Sequence, residues 1–153
     1  MASPDIQNLA RQLLAFEAAL DSALDAGGEA HGEAAVRVIE KLRLRLIRLA
    51  GVEGFRSLLS RALALAKVEA PALHLVHIRE DGFVEGFEVV AQSHDADAAR
   101  QAGRVLVGQS LKLLVTFIGE SLTFGLVRDA WPEAALEGEV ALEGEDWKAE
   151  ERS

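Results

Sequence analysis

His74 and His77, three residues apart, come closest to a metal site among the side chains of this 153-residue chain. On a helix this spacing would place both imidazoles on one face, as a shared metal ion requires. On a strand an odd separation sends the two side chains to opposite faces of the sheet. The surrounding sequence favours a strand, so we expect ordinary interfacial histidines and no metal site. His94, with Asp95 and Asp97 after it, has the composition of a helix start rather than of a ligand cluster.

Nucleophilic chemistry finds little support in the residue types. The chain has no cysteine and no tyrosine, and the lack of cysteine excludes thiolate nucleophiles and zinc sites built on thiolates. Four serines all lack the G-x-S-x-G context of a serine hydrolase: Ser57, Ser60, Ser110 and Ser121. Neither the P-loop pattern nor the dinucleotide-binding fingerprint occurs. We therefore predict that the protein is not an enzyme and uses no cofactor.

Charge is distributed unevenly along the chain. The net charge of −9 argues against nucleic acid as a general partner, because binding to a phosphate backbone requires positive surface. Residues 37–67, however, contain eight basic and two acidic residues, whereas residues 133–153 contain two basic and eight acidic residues. A basic block therefore lies within an acidic protein, and it indicates where an anionic partner could bind.

Four basic residues at positions i, i+4, i+8 and i+11 share one ridge of a predicted helix: Arg37, Lys41, Arg45 and Arg48. One interpretation is a solvated face that pairs with the acidic residues Glu17, Asp21 and Asp25 of the preceding helix. The other is a binding site for an acidic protein surface, a phosphate-bearing ligand or the chain's own acidic tail. We expect this ridge, called the basic ridge below, to bind an acidic partner, with residues 133–153 folding back to compete.

The first predicted helix begins at Ser3-Pro4-Asp5, where Ser caps, Pro fits the first turn and Asp complements the helix dipole. Its apolar residues are spaced three and four apart and form a narrow seam: Ile6, Leu9, Leu13, Phe16 and Leu20. Gly27-Gly28 ends this helix. Such a seam suits packing inside a bundle or a coiled-coil-like contact, so we consider self-association as a homodimer through it.

Two further helices and a hairpin are predicted in the middle of the chain. The second helix extends from Glu33 to Ala50 and stops at Gly51, and the third extends over residues 53–69 until Pro71. The turn dipeptide Asp81-Gly82, flanked by β-branched and aromatic residues, predicts a β-hairpin over residues 73–78 and 83–89. A loop followed by a short helix from Phe83 is the alternative for the same residues. An exposed hairpin edge would offer a second surface for dimerisation.

The apolar stretch Leu111–Trp131 is interpreted as two helices of the core. The fourth helix extends from Ser93 or Asp95 to Ile118, Gly119 interrupts the stretch, and the fifth helix ends by Pro132. Lys112 and Glu120 would be costly inside a bilayer, so a membrane span is disfavoured. We expect four apolar side chains of this stretch to face the interior: Leu113, Phe117, Leu122 and Leu126. Two alternatives stay open, a membrane-inserting helical hairpin and a bundle that binds an apolar small molecule with Gln109 and the histidines as polar groups.

Together these patterns predict a mainly α-helical, single-domain bundle of about five helices, with a central apolar helix and a small β-hairpin insertion. Residues 1–132 form the helical domain and residues 133–153 an acidic, flexible tail. The predicted function is non-catalytic protein–protein interaction, as a regulatory or adaptor module. No secretory signal is evident at the N-terminus, which favours a cytoplasmic protein. Twelve arginines against four lysines indicate a GC-rich bacterial genome.

Overall fold

The computed structural model describes residues 3–23, 30–93 and 96–132, so the predicted tail over residues 133–153 lies outside the described ranges. Within these ranges the elements are, in order, α1 (Ser3–Ala23), α2 (Ala30–Glu69), a 3-10 helix (Pro71–Leu75), β1 (His77–Ile78), β2 (Val84–Glu85), α3 (Phe87–Ser93), α4 (Ala96–Ile118) and α5 (Glu120–Ala130). The prediction of a mainly α-helical bundle with a small hairpin insertion is confirmed.

The long helix α2 contains both the second and the third predicted helix. Gly51 interrupts it with a non-helical conformation, φ 78° and ψ 169°, at the residue where the sequence predicted a stop. Glycine tolerates this positive φ because it has no Cβ to clash with the backbone. Residues 30–50 and 52–69 are therefore two helical segments joined by a kink, and each can pack a different face against the core.

Helix α4 is the central helix of the bundle. It packs most extensively against α2, and also against α1 and α5. Leu106, Leu111 and Leu114 are almost completely buried, although they lie on different sides of the helix. A helix that is apolar nearly all round is stable in water when neighbours cover most of its faces, and these neighbours cover most of α4. None of the helices in the described ranges has the length and apolar character that crossing a membrane requires.

Two of the four apolar residues expected inside are at the surface instead. Leu113 and Leu126 are buried as predicted, but Phe117 is 58% exposed and Leu122 is 57% exposed. Both lie close to Gly119, whose φ of 91° separates α4 from α5. The helical period correctly places Phe117 on the same face as Leu113, but that face continues beyond the described elements that cover it. The prediction that Phe117 and Leu122 are interior residues is therefore wrong.

The hairpin is present, but its strands are much shorter than predicted. Only His77 pairs with Glu85 and Ile78 with Val84. The Asp81-Gly82 turn is as expected: the Gly82 amide donates to the Arg79 carbonyl at 3.0 Å, with Gly82 at φ 92°. This geometry, a turn followed by a glycine at positive φ, is a common three-residue hairpin loop.

Gly86 ends the second strand and explains why residues 87–89 are helical. Its φ of 109° redirects the chain, and its carbonyl accepts the amides of Val89 and Val90 at 3.0 and 3.1 Å. Phe87 and Val90, three residues apart, are both buried, as one face of a helix requires. The alternative of a short helix in this region therefore holds from Phe87 onward. On the other side, the 3-10 helix (Pro71–Leu75) replaces the first half of the predicted first strand.

The apolar seam of α1 is part of the core. Ile6, Leu9 and Leu13 are almost completely buried, and Phe16 packs against the same cluster. Helix α1 contacts both α2 and α4, which cover this seam. The Leu20 side chain lies outside the part of the chain that the structure describes. In this conformation Ile6, Leu9 and Leu13 are therefore not exposed to a second copy of the chain.

Candidate partner-binding surface

The N-terminal half of the basic ridge holds a buried carboxylate. Glu17 of α1 is only 1% exposed. Arg37 Nε lies 3.2 Å from its Oε1, Lys41 Nζ forms an ion pair with Oε2, and Trp131 Nε1 donates to Oε2 at 2.9 Å. The interpretation that the ridge pairs with Glu17 holds for Arg37 and Lys41, although this carboxylate is buried and is not part of a solvated face. The side chains of Asp21 and Asp25 lie outside the described ones. We call Glu17, Arg37, Lys41 and Trp131 together the Glu17 cluster.

Electrostatics keep Glu17 charged. Burial raises the pKa of its carboxyl group, but hydrogen bonds from Lys41, Trp131 and Arg37 and the charge of Lys41 lower the pKa more strongly. The result is a pKa below the ordinary value of 4.5. A buried carboxylate is stable only when its lone pairs are satisfied in this way. Arg37 and Lys41 therefore have a structural partner inside the chain.

Trp131 joins the end of α5 to the same cluster. Its indole is 1% exposed, and the Lys41 ammonium lies 5.7 Å from the ring centroid, within the range of a cation–π contact. Trp131 lies at the end of the predicted helical domain, residues 1–132, but its contact with Glu17 was not predicted. The two residues are separated by 114 positions, so no local spacing could have indicated this hydrogen bond.

The C-terminal half of the basic ridge points outward. Arg45 is exposed and donates through Nη2 to the Asp129 carbonyl oxygen at 3.1 Å, near the C-terminus of α5. Arg48 is also exposed, and within the described ranges it forms no hydrogen bond or ion pair. The ridge is therefore divided: Arg37 and Lys41 pair with the buried Glu17, whereas Arg45 and Arg48 are exposed at the surface.

An apolar groove of about 280 Å³ opens between α2 and the end of α4. Its apolar wall consists of Leu46, Leu49, Ala50, Phe55, Leu58, Leu114, Phe117 and Ile118. Leu49 is 62% exposed although it continues the buried stripe of Leu42 and Leu46. Phe117 likewise continues the stripe of Leu106 and Leu113. Two core-facing stripes thus end on large exposed side chains that line one groove.

Arg61 is the charged residue in the described lining of this groove, and its side chain is positively charged. Arg61 contributes to the wall from the second segment of α2, and in the described part of the chain it has no ion-pair partner. Glu53, on the same segment, is already paired with Arg56 at 3.4 Å. The groove therefore combines exposed apolar side chains with the guanidinium group of Arg61, which is unpaired among the described residues. Arg48, one residue before Leu49 in the chain, is a second exposed arginine without a described partner, but it is not part of the groove lining. Sequence reasoning identified Arg48 but missed Arg61 and the groove.

The other polar side chains considered in the sequence do not form a reactive centre within the described residues. His74 Nδ1 lies 2.9 Å from the Pro71 carbonyl oxygen, and His77 Nε2 lies 2.9 Å from Glu85 Oε1, both on the surface. Gln109 Nε2 donates to Glu69 Oε2 at 2.8 Å, so its amide is already engaged. His94 lies outside the described ranges, and the residues inside them contain no group of three or more side chains suited to a metal ion.

The candidate surface thus consists of the groove, Arg48 and Arg61, with Arg45 on the preceding helical turn. Arg37 and Lys41 belong to the Glu17 cluster, which lies on the same helix but is directed into the fold. Comparison of the chain with protein-family models, with curated proteins and with solved structures finds no match.

Proposed function

We propose that the protein is a non-catalytic binding module that docks an acidic, amphipathic helical segment of a partner protein in the apolar groove. The observation that carries this proposal is the exposure of Leu49 on α2 and Phe117 on α4 in the groove wall, with Arg61 in the same lining and the exposed Arg48 next to Leu49 in the chain. Helical segments bind such grooves through apolar side chains at i, i+3, i+4 and i+7. Acidic residues beside that stripe would meet the two guanidinium groups.

Apolar contact and charge would contribute differently to this complex. Burial of Leu49 and Phe117 removes apolar surface from water, at about 25 cal/mol per Å² of buried area. Arg48 and Arg61 are exposed, and ion pairs of exposed arginines add little affinity but accelerate association and select acidic partners. We therefore expect binding to weaken as salt concentration rises, while a salt-independent apolar component remains.

The chain's own residues 133–153 have the same chemistry as the proposed partner. They contain eight acidic residues together with Leu136, Val140, Leu142 and Trp147. We propose that this segment competes with the partner for the groove. Deleting residues 133–153 should then strengthen partner binding at low salt. Unchanged affinity would rule out the competition and leave partner docking itself intact.

Affinity capture with the full-length chain tests the docking proposal. Wild type is compared with a double variant, Arg48→Glu and Arg61→Glu, at low salt, and proteins that bind wild type are identified by mass spectrometry. We expect an acidic protein to be retained by wild type and lost from the double variant. Cross-links from that protein should fall on residues 46–61 or 114–118. Retention of the same protein by both forms would contradict the proposal.

The choice of control residues follows from the structure. Arg128 is exposed on α5 and has no ion pair with any described residue, so Arg128→Glu changes the charge at a site outside the groove lining. It should retain the partner, and a matched pair of charge changes at Arg128 and Lys112 controls for net charge. Reversal of Arg37 or Lys41 is unsuitable, because it would leave Glu17 buried beside a like charge.

A further inference from the structure

A second cavity lies between α1, the start of α2 and the start of α4, away from the groove. Its volume is about 370 Å³, and its lining divides into two chemical classes. The apolar lining consists of Leu14, Ala15, Ala18 and Ala34, and the remaining lining consists of Arg11, Arg100 and Arg104. We call this cavity the arginine pocket. None of its residues belongs to the basic ridge or to the groove.

Two arginines of the arginine pocket, Arg11 and Arg104, have no carboxylate partner among the described residues. Arg100 Nη1 pairs with Asp97 Oδ1 at 2.8 Å. Arg11 has one long hydrogen bond, to Asn8 Oδ1 at 3.4 Å, and Arg104 has no ion pair or hydrogen bond with any residue in the described ranges. The lining surface is mainly apolar, so the arginines contribute mostly their hydrocarbon stems to it. A chain with a net charge of −9 nevertheless gathers three arginines here.

The alanines create the space in this pocket. Ala15 and Ala18 on α1 and Ala34 on α2 end at Cβ, so the helices approach without filling the volume between them. This part of the lining offers no polar side chain, and it suits a hydrocarbon group rather than a sugar or a nucleotide base. A volume of about 370 Å³ also lies within the range of small-molecule pockets.

We propose that the arginine pocket binds an organic anion with an apolar tail. The head group, a carboxylate or a phosphate, pairs with Arg104 and Arg11, and the tail lies against Leu14 and the alanines. A guanidinium group presents a planar fork of donors that matches both head groups. This site is independent of the proposed partner groove, and it differs from the apolar-ligand site expected from the sequence because its polar groups are arginines.

Calorimetric titration of the full-length chain tests this assignment with four probes: sodium decanoate, decyl phosphate, decanol and inorganic phosphate, all below micelle formation. Decanoate and decyl phosphate carry both head and tail, so they should bind. Decanol lacks the charge and inorganic phosphate lacks the tail, so each should bind at least about tenfold more weakly. Decanol binding as tightly as decanoate would overturn the proposal.

Sedimentation with anionic phosphatidylglycerol vesicles separates the two sources of such a ligand. Binding of free decanoate without vesicle sedimentation assigns a free amphiphile. Vesicle sedimentation that Arg104→Ala abolishes assigns a lipid head group. The absence of binding in both assays would overturn the proposal.

Substitutions locate the binding. Arg104→Ala and Arg11→Ala should each weaken decanoate binding about tenfold, because each removes a charge-assisted hydrogen bond to the head group. Ala18→Leu should weaken it by filling the tail site, and thermal unfolding verifies that this variant is folded. Arg128→Ala is the matched control and should bind like wild type.

Wild-type affinity in both Arg104→Ala and Arg11→Ala would contradict the assignment. The Arg48→Glu and Arg61→Glu double variant should retain decanoate, which separates the two proposals.

Discussion

At the scale of single residues, Glu17 links three elements of the fold. Its carboxylate joins α1 to Arg37 and Lys41 of α2 and to Trp131 at the end of α5. Removing one partner of a buried ion pair leaves uncompensated charge, which costs more than the pair contributes when intact. The Glu17 cluster therefore favours one alignment of α1, α2 and the end of α5. The core that these helices share is otherwise mainly apolar.

Glu17→Gln should destabilise the protein by about 2–3 kcal/mol, because the amide cannot neutralise Arg37 and Lys41. Urea denaturation at neutral pH measures the change. Glu53→Gln is the matched control: Glu53 is 87% exposed and its pairing with Arg56 is a surface ion pair, so stability should hardly change. Equal unfolding midpoints for wild type and Glu17→Gln would show that the cluster contributes nothing to stability.

The contribution of Glu17 should depend on pH with a defined sign. Its pKa in the folded state is lower than the ordinary value of 4.5, so the folded protein binds this proton less readily than the unfolded chain. The stabilisation is therefore fully present above pH 4.5 and is lost as pH falls through the folded-state pKa. The stability difference between wild type and Glu17→Gln, measured by urea denaturation across this range, should shrink on acidification. A difference that grows as pH falls would contradict the assignment.

At the scale of elements, local sequence signals predicted the helices well and the hairpin only in part. Helical spacing, Pro4, Gly51 and Gly119 act within a few residues, so their effects are visible in the sequence. The turn at Asp81-Gly82 is a local signal of the same kind. The lengths of the strands depend instead on burial of Phe87 and Val90 by the rest of the bundle, and a run of β-branched residues does not reveal that.

Gly86 is the position where the element boundary is most sensitive to substitution. Gly86→Ala should cost about 3 kcal/mol, because φ is 109° and the added Cβ would collide with the Leu75 carbonyl oxygen. Gly125→Ala is the control within a helix: nothing lies within 4 Å of its Cβ position, and the change should stabilise α5 by about 0.5–1 kcal/mol. Thermal unfolding would measure both variants, and a neutral Gly86→Ala would refute the described chain path.

At the scale of the whole molecule, helix packing determines which residues of the basic ridge pair with Glu17 and which are exposed at the surface. The sequence placed Arg37, Lys41, Arg45 and Arg48 on one ridge, and that spacing is correct. It offered Glu17 as a partner of the ridge but could not show that this carboxylate is buried and engages only Arg37 and Lys41 among the four, since that depends on how α1 and α5 pack against α2. Phe117 was expected inside because periodicity identifies the face of a helix but not where its covering neighbours end.

Amide chemical-shift mapping of the full-length chain during titration with the captured acidic segment tests the docking proposal most directly. Our account predicts that the largest shift changes concentrate in residues 46–61 and 114–118, on the two walls of the groove. The double variant of Arg48→Glu and Arg61→Glu should show these changes only at higher concentrations of the segment. Shift changes confined to residues outside both ranges, such as those of the arginine pocket, would contradict partner docking in the groove.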